Sequence, residues 1–174
     1  MNAIPLESER LYYEVLSLKY LSMAYVNWLN DTKVNKYLES GGDYTLHKLE
    51  SFLIEQEQKN ILFWAINVKD TQKHIGNIKI DPINVENNSG EYGILMGDSN
   101  EWGKGYAKEA SKAIMDYCFN ELKFSKITLG VIDENKSAVK LYETLGFETE
   151  SIIENVGIYD KKMCNSIRMV KEND

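Results

Sequence analysis

The chain has 174 residues, 43% of them hydrophobic and 27% charged, and a formal net charge of −7. This size and apolar content favour one folded domain, 1–174, and argue against a disordered chain. The acidic balance argues against a nucleic-acid partner. No apolar run reaches the roughly 18 residues of a membrane span, so we expect no membrane association and a cytoplasmic protein.

Hydrophobic patterns predict a strand followed by helices in the first part of the chain. Residues 8–16 are rich in aromatic and β-branched types, which is typical of a strand. Residues 18–28 have apolar side chains near helical spacing and predict a helix. Asp31 can cap a short second helix that ends near residue 38, and Thr45 begins a third.

The middle of the chain changes to the period of strands. Residues 61–68, 74–80 and 90–96 each predict a strand. The polar segment 69–72 suits the turn of a hairpin. We therefore predict a three-stranded antiparallel meander.

The last part alternates between helices and strands. The pattern predicts, in chain order, a helix, a strand, a helix and two strands at 104–122, 126–132, 135–145, 147–153 and 162–170. A strand, a helix and a further strand in succession imply one parallel strand pair. The predicted fold class is therefore α/β (α+β), with a mixed, mostly antiparallel sheet of about seven strands.

A glycine-rich turn at 103–107 (Gly-Lys-Gly-Tyr-Ala) lies between the strand that ends at Met96 and the long helix. The first N–H groups of a helix have no partner inside it and form an anion site, which the helix dipole reinforces. The anion could be a mononucleotide phosphate, a dinucleotide or the diphosphate of coenzyme A. The phosphate-loop motif G-x-x-x-x-G-K-[ST] is absent, and the dinucleotide motif G-x-G-x-x-G fits only in part.

Two motifs make the chain resemble the GNAT N-acetyltransferase superfamily. The segment 102–110 (WGKGYAKEA) is similar to the RimJ/RimL-like subgroup, and residues 105–107 match the G-x-[GA] end of the family's acetyl-CoA loop. Trp102 stands where that loop usually has Gln or Arg. The segment 135–147 (NKSAVKLYETLGF) is close to the family pattern N-x-x-[SA]-x-x-[LF]-Y-x-x-x-G-F.

The resemblance implies a GNAT-like sheet with helices on both faces and one parallel strand pair splayed around acetyl-CoA, the co-substrate. A primary amine would attack the thioester directly. Implied cofactor contacts are Met96, Trp102, Gly103, Lys104, Gly105, Tyr106, Ala107 and Asn135. Tyr142 matches the family's general acid, and Glu91 lies on the strand that carries the general base in several members. Each of these three residues also has a purely structural interpretation: Asn135 as an N-cap, Tyr142 as a core residue and Glu91 as an exposed strand carboxylate.

The acceptor amine is less well defined. The subgroup implies a protein N-terminus, an amino sugar or a small amine such as a polyamine. The segment 30–44 corresponds to the border of the acceptor site, and the loop 81–84 can add further polar groups. The candidate substrate-binding residues are therefore Tyr37, Tyr44 and Asn84, with Asn35 and Glu39 beside them. A homodimer is one option, as among relatives. The alternative function is a catalytically silent acyl-CoA-binding regulatory module.

No metal site is expected. Cys118 and Cys164 do not have metal-ligand spacing. His47 lies on a polar helix face and His74 at the start of a strand, and both are interpreted as surface residues.

Overall fold

The computed structural model describes residues 3–38, 42–59 and 61–173. Its strands are β1 (Leu6–Glu7), β2 (Leu11–Val15), β3 (Leu62–Val68), β4 (Lys73–Asn84), β5 (Ser89–Met96), β6 (Lys126–Ile132), β7 (Glu148–Tyr159) and β8 (Lys162–Glu172). Its α-helices are α1 (Met23–Asn30), α2 (Thr32–Asn35), α3 (Leu46–Glu57), α4 (Tyr106–Asn120) and α5 (Lys136–Thr144). Short 3₁₀ helices lie at Leu18–Tyr20 and Ser99–Glu101.

The strands form one sheet in the order β1-β2-β3-β4-β5-β6-β8-β7, and only β5 and β6 pair in parallel. The predicted fold class, a mostly antiparallel sheet with one parallel pair, is confirmed. The sheet has eight strands rather than about seven because the predicted strand 8–16 starts at Leu11. Residues 8–10 instead form the turn of a hairpin that pairs Leu6 with Tyr13.

The predicted helix 18–28 is also interrupted. A 3₁₀ helix covers Leu18–Tyr20, and α1 starts only at Met23. Ser22 is the N-cap of α1, since its side chain accepts a hydrogen bond from the N–H of Tyr25 at 3.2 Å. A capping serine inside an apolar period therefore ends one helix and begins another.

Two hydrophobic clusters cover opposite faces of the sheet. On β3, Trp64 and Ile66 belong to the cluster that includes the apolar sides of α4 and α5. Ala65, which points the other way, belongs to the cluster that includes α1 and α3. The helices therefore lie on both faces, as predicted, and the buried strands hold the two layers together.

The parallel strands β5 and β6 pair only where they begin. Their register contains three residue pairs, from Ser89 with Lys126 to Glu91 with Thr128. After those pairs β5 remains bonded to β4, and β6 pairs along its length with β8. The two strands consequently separate toward their carboxyl ends, as the predicted splay requires. The gap opens beside the segments that lead into α4 and α5.

His74 is packed in an aromatic cluster, so its interpretation as a surface residue is wrong. Its ring centroid lies 4.6 Å from that of Tyr20 and 4.8 Å from that of Trp28, and its Nε2 is 2.9 Å from Oδ1 of Asn77. Burial lowers the pKa of His74, although the hydrogen bond with Asn77 opposes this effect. The side chain of His47 is 88% exposed, as predicted.

Candidate active site

The loop after β5 is closed by a tryptophan. The N–H groups of Gly97 and Asp98 both donate to the carbonyl of Ile75, at 2.9 and 3.1 Å, which ties the start of the loop to β4. The indole Nε1 of Trp102 donates to the carbonyl of Met96 at 2.9 Å. Trp102 therefore folds the loop back onto the last residue of β5. The carbonyl of Met96 is occupied by this bond.

Two glycines shape the end of the loop. Gly103 and Gly105 have φ angles of +75° and +82°, in the left-handed region that side chains disfavour. A Cβ on Gly103 would meet no atom within 4 Å, so glycine is needed there for its backbone angle and not for space. Gly105 is the N-cap of α4, and its left-handed backbone explains why the helix starts at Tyr106 and not at 104.

The amides of this turn are free. Within the described ranges, none of the N–H groups of residues 103–108 donates to a protein acceptor, and the first intrahelical bond runs from Glu109 to the carbonyl of Gly105 at 3.1 Å. Successive free N–H groups at a left-handed turn form a concave donor set, and the dipole of the 15-residue α4 adds positive potential. The turn can therefore bind an anion.

The ammonium of Lys104 is engaged within the loop. Its Nζ lies 2.6 Å from Oε2 of Glu101, and Lys73 from β4 contacts Glu101 at 3.4 Å and Asp98 at 2.5 Å. The hydrogen bond from Lys104 lowers the pKa of Glu101, against the opposing effect of desolvation, and Lys73 contributes in the same direction. These ion pairs brace the outer side of the loop and were not predicted from the sequence.

Tyr142 on α5 is buried, with 7% of its surface exposed. Its ring lies edge-on to Tyr92 at 5.7 Å and to Phe147 at 6.0 Å. Burial raises the pKa of Tyr142 to about 12, so the phenol stays protonated at neutral pH. Its hydroxyl has no hydrogen-bond partner among the residues that the structure describes, which leaves it available as a donor.

Tyr92 connects this aromatic group to α4. The Tyr92 hydroxyl is 2.6 Å from Oγ of Ser111. The Ser111 hydroxyl in turn donates to the carbonyl of Ala107 at 2.6 Å. Ser111 and Tyr92 are both buried. The packing partner of Tyr142 is thus bonded to the first turn of the helix that carries the free amides.

Asn135 caps α5 and keeps a free donor. Its Oδ1 accepts from the N–H of Ala138 at 3.4 Å and from the hydroxyl of Ser137 at 3.2 Å. The Nδ2 group has no acceptor in the described part of the chain. The capping interpretation is therefore confirmed, and a contact of Nδ2 with a ligand is compatible with it.

Glu91, the candidate general base, forms a bidentate ion pair. Its two carboxylate oxygens accept from Nη1 and Nη2 of Arg168 on β8, at 3.0 and 2.8 Å. Glu91 and Tyr92 are adjacent on β5, so their side chains lie on opposite faces of the sheet. Arg168 was not singled out from the sequence, because its role depends on strand register.

The candidate acceptor residues do not form one cluster. The Tyr37 hydroxyl donates to the carbonyl of Glu134 at 3.0 Å, beside the start of α5. The backbone N–H and carbonyl of Tyr44 are bonded to the side chain of Asn30 at 2.8 and 2.9 Å. Asn84 accepts from the N–H of Asn87 at 3.0 Å. The predicted Glu39 lies outside the described residues.

An open cavity of about 490 Å³ lies at the end of the sheet where β5 and β6 begin. Its lining includes Asn84, Glu91 and Thr128. Tyr37 and Tyr44 do not line it. The cavity therefore brings together one candidate substrate residue and the candidate base, at the opposite end of β5 from the glycine turn.

The described part of the chain lacks two kinds of feature. No group of three or more His, Cys, Asp or Glu side chains there could hold a metal ion. No α-helix there has both the length and the apolar character that a bilayer crossing needs.

Similarity to known proteins is consistent with this geometry. Residues 10–148 match the family model of the acetyltransferase (GNAT) domain. The chain is 30% identical over 156 residues to an uncharacterized N-acetyltransferase p20 from Bacillus licheniformis, covering 83% of this chain and 85% of that protein. It is 39% identical over 84 residues, 48% of each protein, to a spermidine N(1)-acetyltransferase from Vibrio cholerae. The fold is similar to that of spermidine N-acetyltransferase from Vibrio cholerae in complex with CoA and spermine, with a TM-score of 0.83, 24% identity, and coverage of 95% of this chain and 97% of that one.

Proposed function

Because the chain belongs to the GNAT family of acetyltransferases, we propose that it transfers an acetyl group from acetyl-CoA to a primary amine. The observation that carries this proposal is the row of free amides at residues 103–108, opened by two left-handed glycines beside the gap between β5 and β6. A diphosphate needs several convergent donors and a backbone without side chains in the way, and this turn supplies both.

The proposed contacts follow the free donors and the apolar wall. The amides from Gly103 to Ala107 would bind the diphosphate of the co-substrate. Nδ2 of Asn135, which is free of a protein acceptor, would donate to the arm of CoA. Met96 is partly buried and packs its side chain against the core, and that side chain would line the path of the arm.

The chemistry requires no enzyme nucleophile. The amine nitrogen attacks the thioester carbonyl, the carbon–sulfur bond breaks, and the sulfur leaves as a thiolate while the nitrogen loses a proton. Tyr142 is the proposed donor to the departing sulfur, since burial keeps its phenol protonated. A phenol with a pKa of about 12 stabilises a thiolate chiefly by donating a hydrogen bond to it.

Glu91 remains the proposed general base, on one condition. Both carboxylate oxygens of Glu91 are bonded to Arg168, so this pair would have to loosen for one oxygen to contact the acceptor amine. If the pair stays closed, Glu91 instead holds Arg168 in place, and the amine loses its proton to solvent. These two roles predict different pH profiles.

A small primary amine is the acceptor that we propose first, with a polyamine as the leading member. The sequence identity to a spermidine N(1)-acetyltransferase supports this choice, and a net charge of −7 attracts a polycation. The similarity of residues 102–110 to the RimJ/RimL-like subgroup supports a protein N-terminal amine as the second candidate.

A thiol-release assay tests the proposal. We expect the protein to release CoA from acetyl-CoA in the presence of spermidine or another member of a panel of small amines and N-terminal peptides. Thermal melts with CoA, ATP and NAD identify the bound anion, because a ligand that binds only the folded state raises its stability. CoA binding without release by any amine would support the silent acyl-CoA-binding module. Protection by ATP or NAD but not by CoA would overturn both.

A further inference from the structure

We propose that Arg10, in the turn between β1 and β2, is a positioning residue for the diphosphate-binding turn, an inference that rests on the proposed function. Its Nη1 donates to the carbonyl of Lys104 at 2.9 Å. Arg10 is 94 residues away from Lys104 in the chain. The contact therefore joins the first hairpin of the sheet to the glycine turn.

The bond to Lys104 sets the direction of a free amide. The peptide between Lys104 and Gly105 is planar and trans, so its carbonyl and its N–H point in opposite directions. Since the carbonyl points at Arg10, the N–H of Gly105 points away from Arg10. A guanidinium on the carbonyl also polarises the peptide, which makes that N–H a stronger donor.

Arg10 is itself held by Glu109, on the first turn of α4. Its Nε donates to Oε2 of Glu109 at 2.7 Å, and its backbone N–H donates to Oε1 at 2.7 Å. Ser8 donates to the same Oε1 at 2.7 Å. The guanidinium lies over the ring of Tyr106 at 4.6 Å. These contacts fix the guanidinium before any ligand binds.

The carboxylate of Glu109 is suited to this task. Its side chain is only 15% exposed, and burial alone would favour the neutral acid. The hydrogen bonds from Ser8 and from the backbone and side chain of Arg10 outweigh burial and lower the pKa of Glu109. Glu109 is therefore ionised at neutral pH and binds Arg10 as a full anion.

The guanidinium also places a free N–H group beside the turn. Nη2 of Arg10 has no acceptor in the described ranges, and it lies 3.5 Å from the position that a Cβ on Gly105 would occupy. Lys104, the cation within the turn, is instead paired with Glu101 at 2.6 Å. The charge of Arg10 is paired with Glu109, so Arg10 contributes the orientation of an amide and a free N–H donor near the turn.

The test compares the activity of the enzyme with two acetyl donors, one with a diphosphate and one without. Acetyl-CoA contains it, and S-acetylpantetheine does not. We expect Arg10→Ala to raise the KM for acetyl-CoA about tenfold, the loss of one hydrogen bond to a charged group, with little change in kcat. The kcat/KM for S-acetylpantetheine should stay at the wild-type value, because that donor never reaches the turn. An Arg10→Ala enzyme equally impaired with both donors, or with neither, would overturn the proposal.

Arg10→Lys separates position from charge. A lysine retains the charge, but its single ammonium cannot replace the two guanidinium nitrogens that bond Glu109 and the carbonyl of Lys104. The KM for acetyl-CoA should therefore stay raised. Full recovery by lysine would show that charge alone matters. Lys19→Ala is the matched control, because it removes a cation from an exposed ion pair with Glu14 and should leave both donors unaffected.

Binding measurements keep this inference distinct from the proposed function. Thermal melts of wild type and Arg10→Ala with CoA and with pantetheine repeat the comparison without turnover. If wild type binds CoA but transfers no acetyl group, a smaller CoA-induced shift in Arg10→Ala still supports the role of Arg10, and an equal shift refutes it. If wild type does not bind CoA, both proposals are wrong.

Discussion

The guanidinium of Arg168 crosses β6 to reach the carboxylate of Glu91 on β5. The crossing passes over Gly130, which is paired with Arg168 in the sheet. A Cβ on Gly130 would lie 2.7 Å from Nη1 of Arg168, so the absence of a side chain there leaves room for the ion pair. The geometry of Glu91 therefore depends on a glycine in β6, the strand that lies between β5 and β8.

Gly130→Ala should break this pair at little cost to folding. The atom that the new methyl group displaces is the far end of a flexible side chain, so the fold need not shift. We expect a change in kcat/KM equal to that of Arg168→Gln, and no further change in the double variant, since both substitutions remove one interaction. The measurement is a double-mutant cycle in steady-state kinetics. Additive effects would contradict a shared target.

Glu91→Gln tests the general base. If Glu91 accepts the amine proton, the variant should lose about 10²-fold in kcat and lose the rise in rate on the acidic limb of the pH profile. Arg168→Gln should keep that rise, because the carboxylate remains. A Glu91→Gln profile with the same acidic limb as wild type would assign Glu91 to holding Arg168.

Tyr142→Phe should retain CoA affinity and lower kcat by about 10²-fold, because the departing sulfur loses its donor. The pKa of Tyr142 is raised to about 12, and the protonated phenol is the active form, so its ionisation should not reduce the rate below about pH 10.

Tyr92→Phe is the control for this substitution. It removes a buried hydroxyl bonded to Ser111 and should lower stability by about 1 kcal/mol with kcat retained. For wild type, Tyr142→Phe and Tyr92→Phe, CoA titrations measure the Kd and steady-state kinetics measure kcat from pH 7 to 10. Equal kcat in wild type and Tyr142→Phe would remove Tyr142 from the mechanism.

Gly103→Ala should weaken CoA binding through backbone strain alone. An L-residue at a φ of +75° costs roughly 1–2 kcal/mol, and relief of that strain would turn the free amides away from one another. Gly42→Ala imposes a similar strain at a φ of +90° away from the turn. Both variants should melt at lower temperature, and only Gly103→Ala should raise the Kd for CoA. Unchanged CoA affinity in Gly103→Ala would exclude the turn as the diphosphate site.

His74 should make the protein less stable as the pH falls. Burial lowers the pKa of His74 in the folded state, so the unfolded chain binds the proton more tightly. The stability contribution is complete above the unfolded pKa of about 6.5 and declines as the pH drops below it, by at most about 1.4 kcal/mol per pH unit.

Denaturant unfolding between pH 8 and 5 measures this slope. His74→Gln should flatten it, at some cost in stability because the aromatic cluster is disturbed. His47→Gln, at the exposed histidine, should leave the slope as in wild type. If both variants have the wild-type slope, His74 is not the group that titrates.

Local chemistry in the sequence determined the glycine turn and the order of the elements. A helix start, two glycines and a change of hydrophobic period are set by residues close together in the chain, so the pattern predicted the mixed sheet and the free amides of 103–107. The predicted starts of α1 and α4 were wrong because one residue within each apolar pattern sets the helix boundary. Ser22 caps α1, and Gly105 has a left-handed backbone that delays the start of α4.

Only the tertiary structure decided which distant side chains support that turn and its neighbours. Arg10 meets Lys104, Glu91 meets Arg168, and His74 lies beneath Trp28 because particular strands pair in a particular register and α1 covers one end of β4. The energy of such contacts depends on the packing of the whole sheet. No periodicity within one segment encodes it.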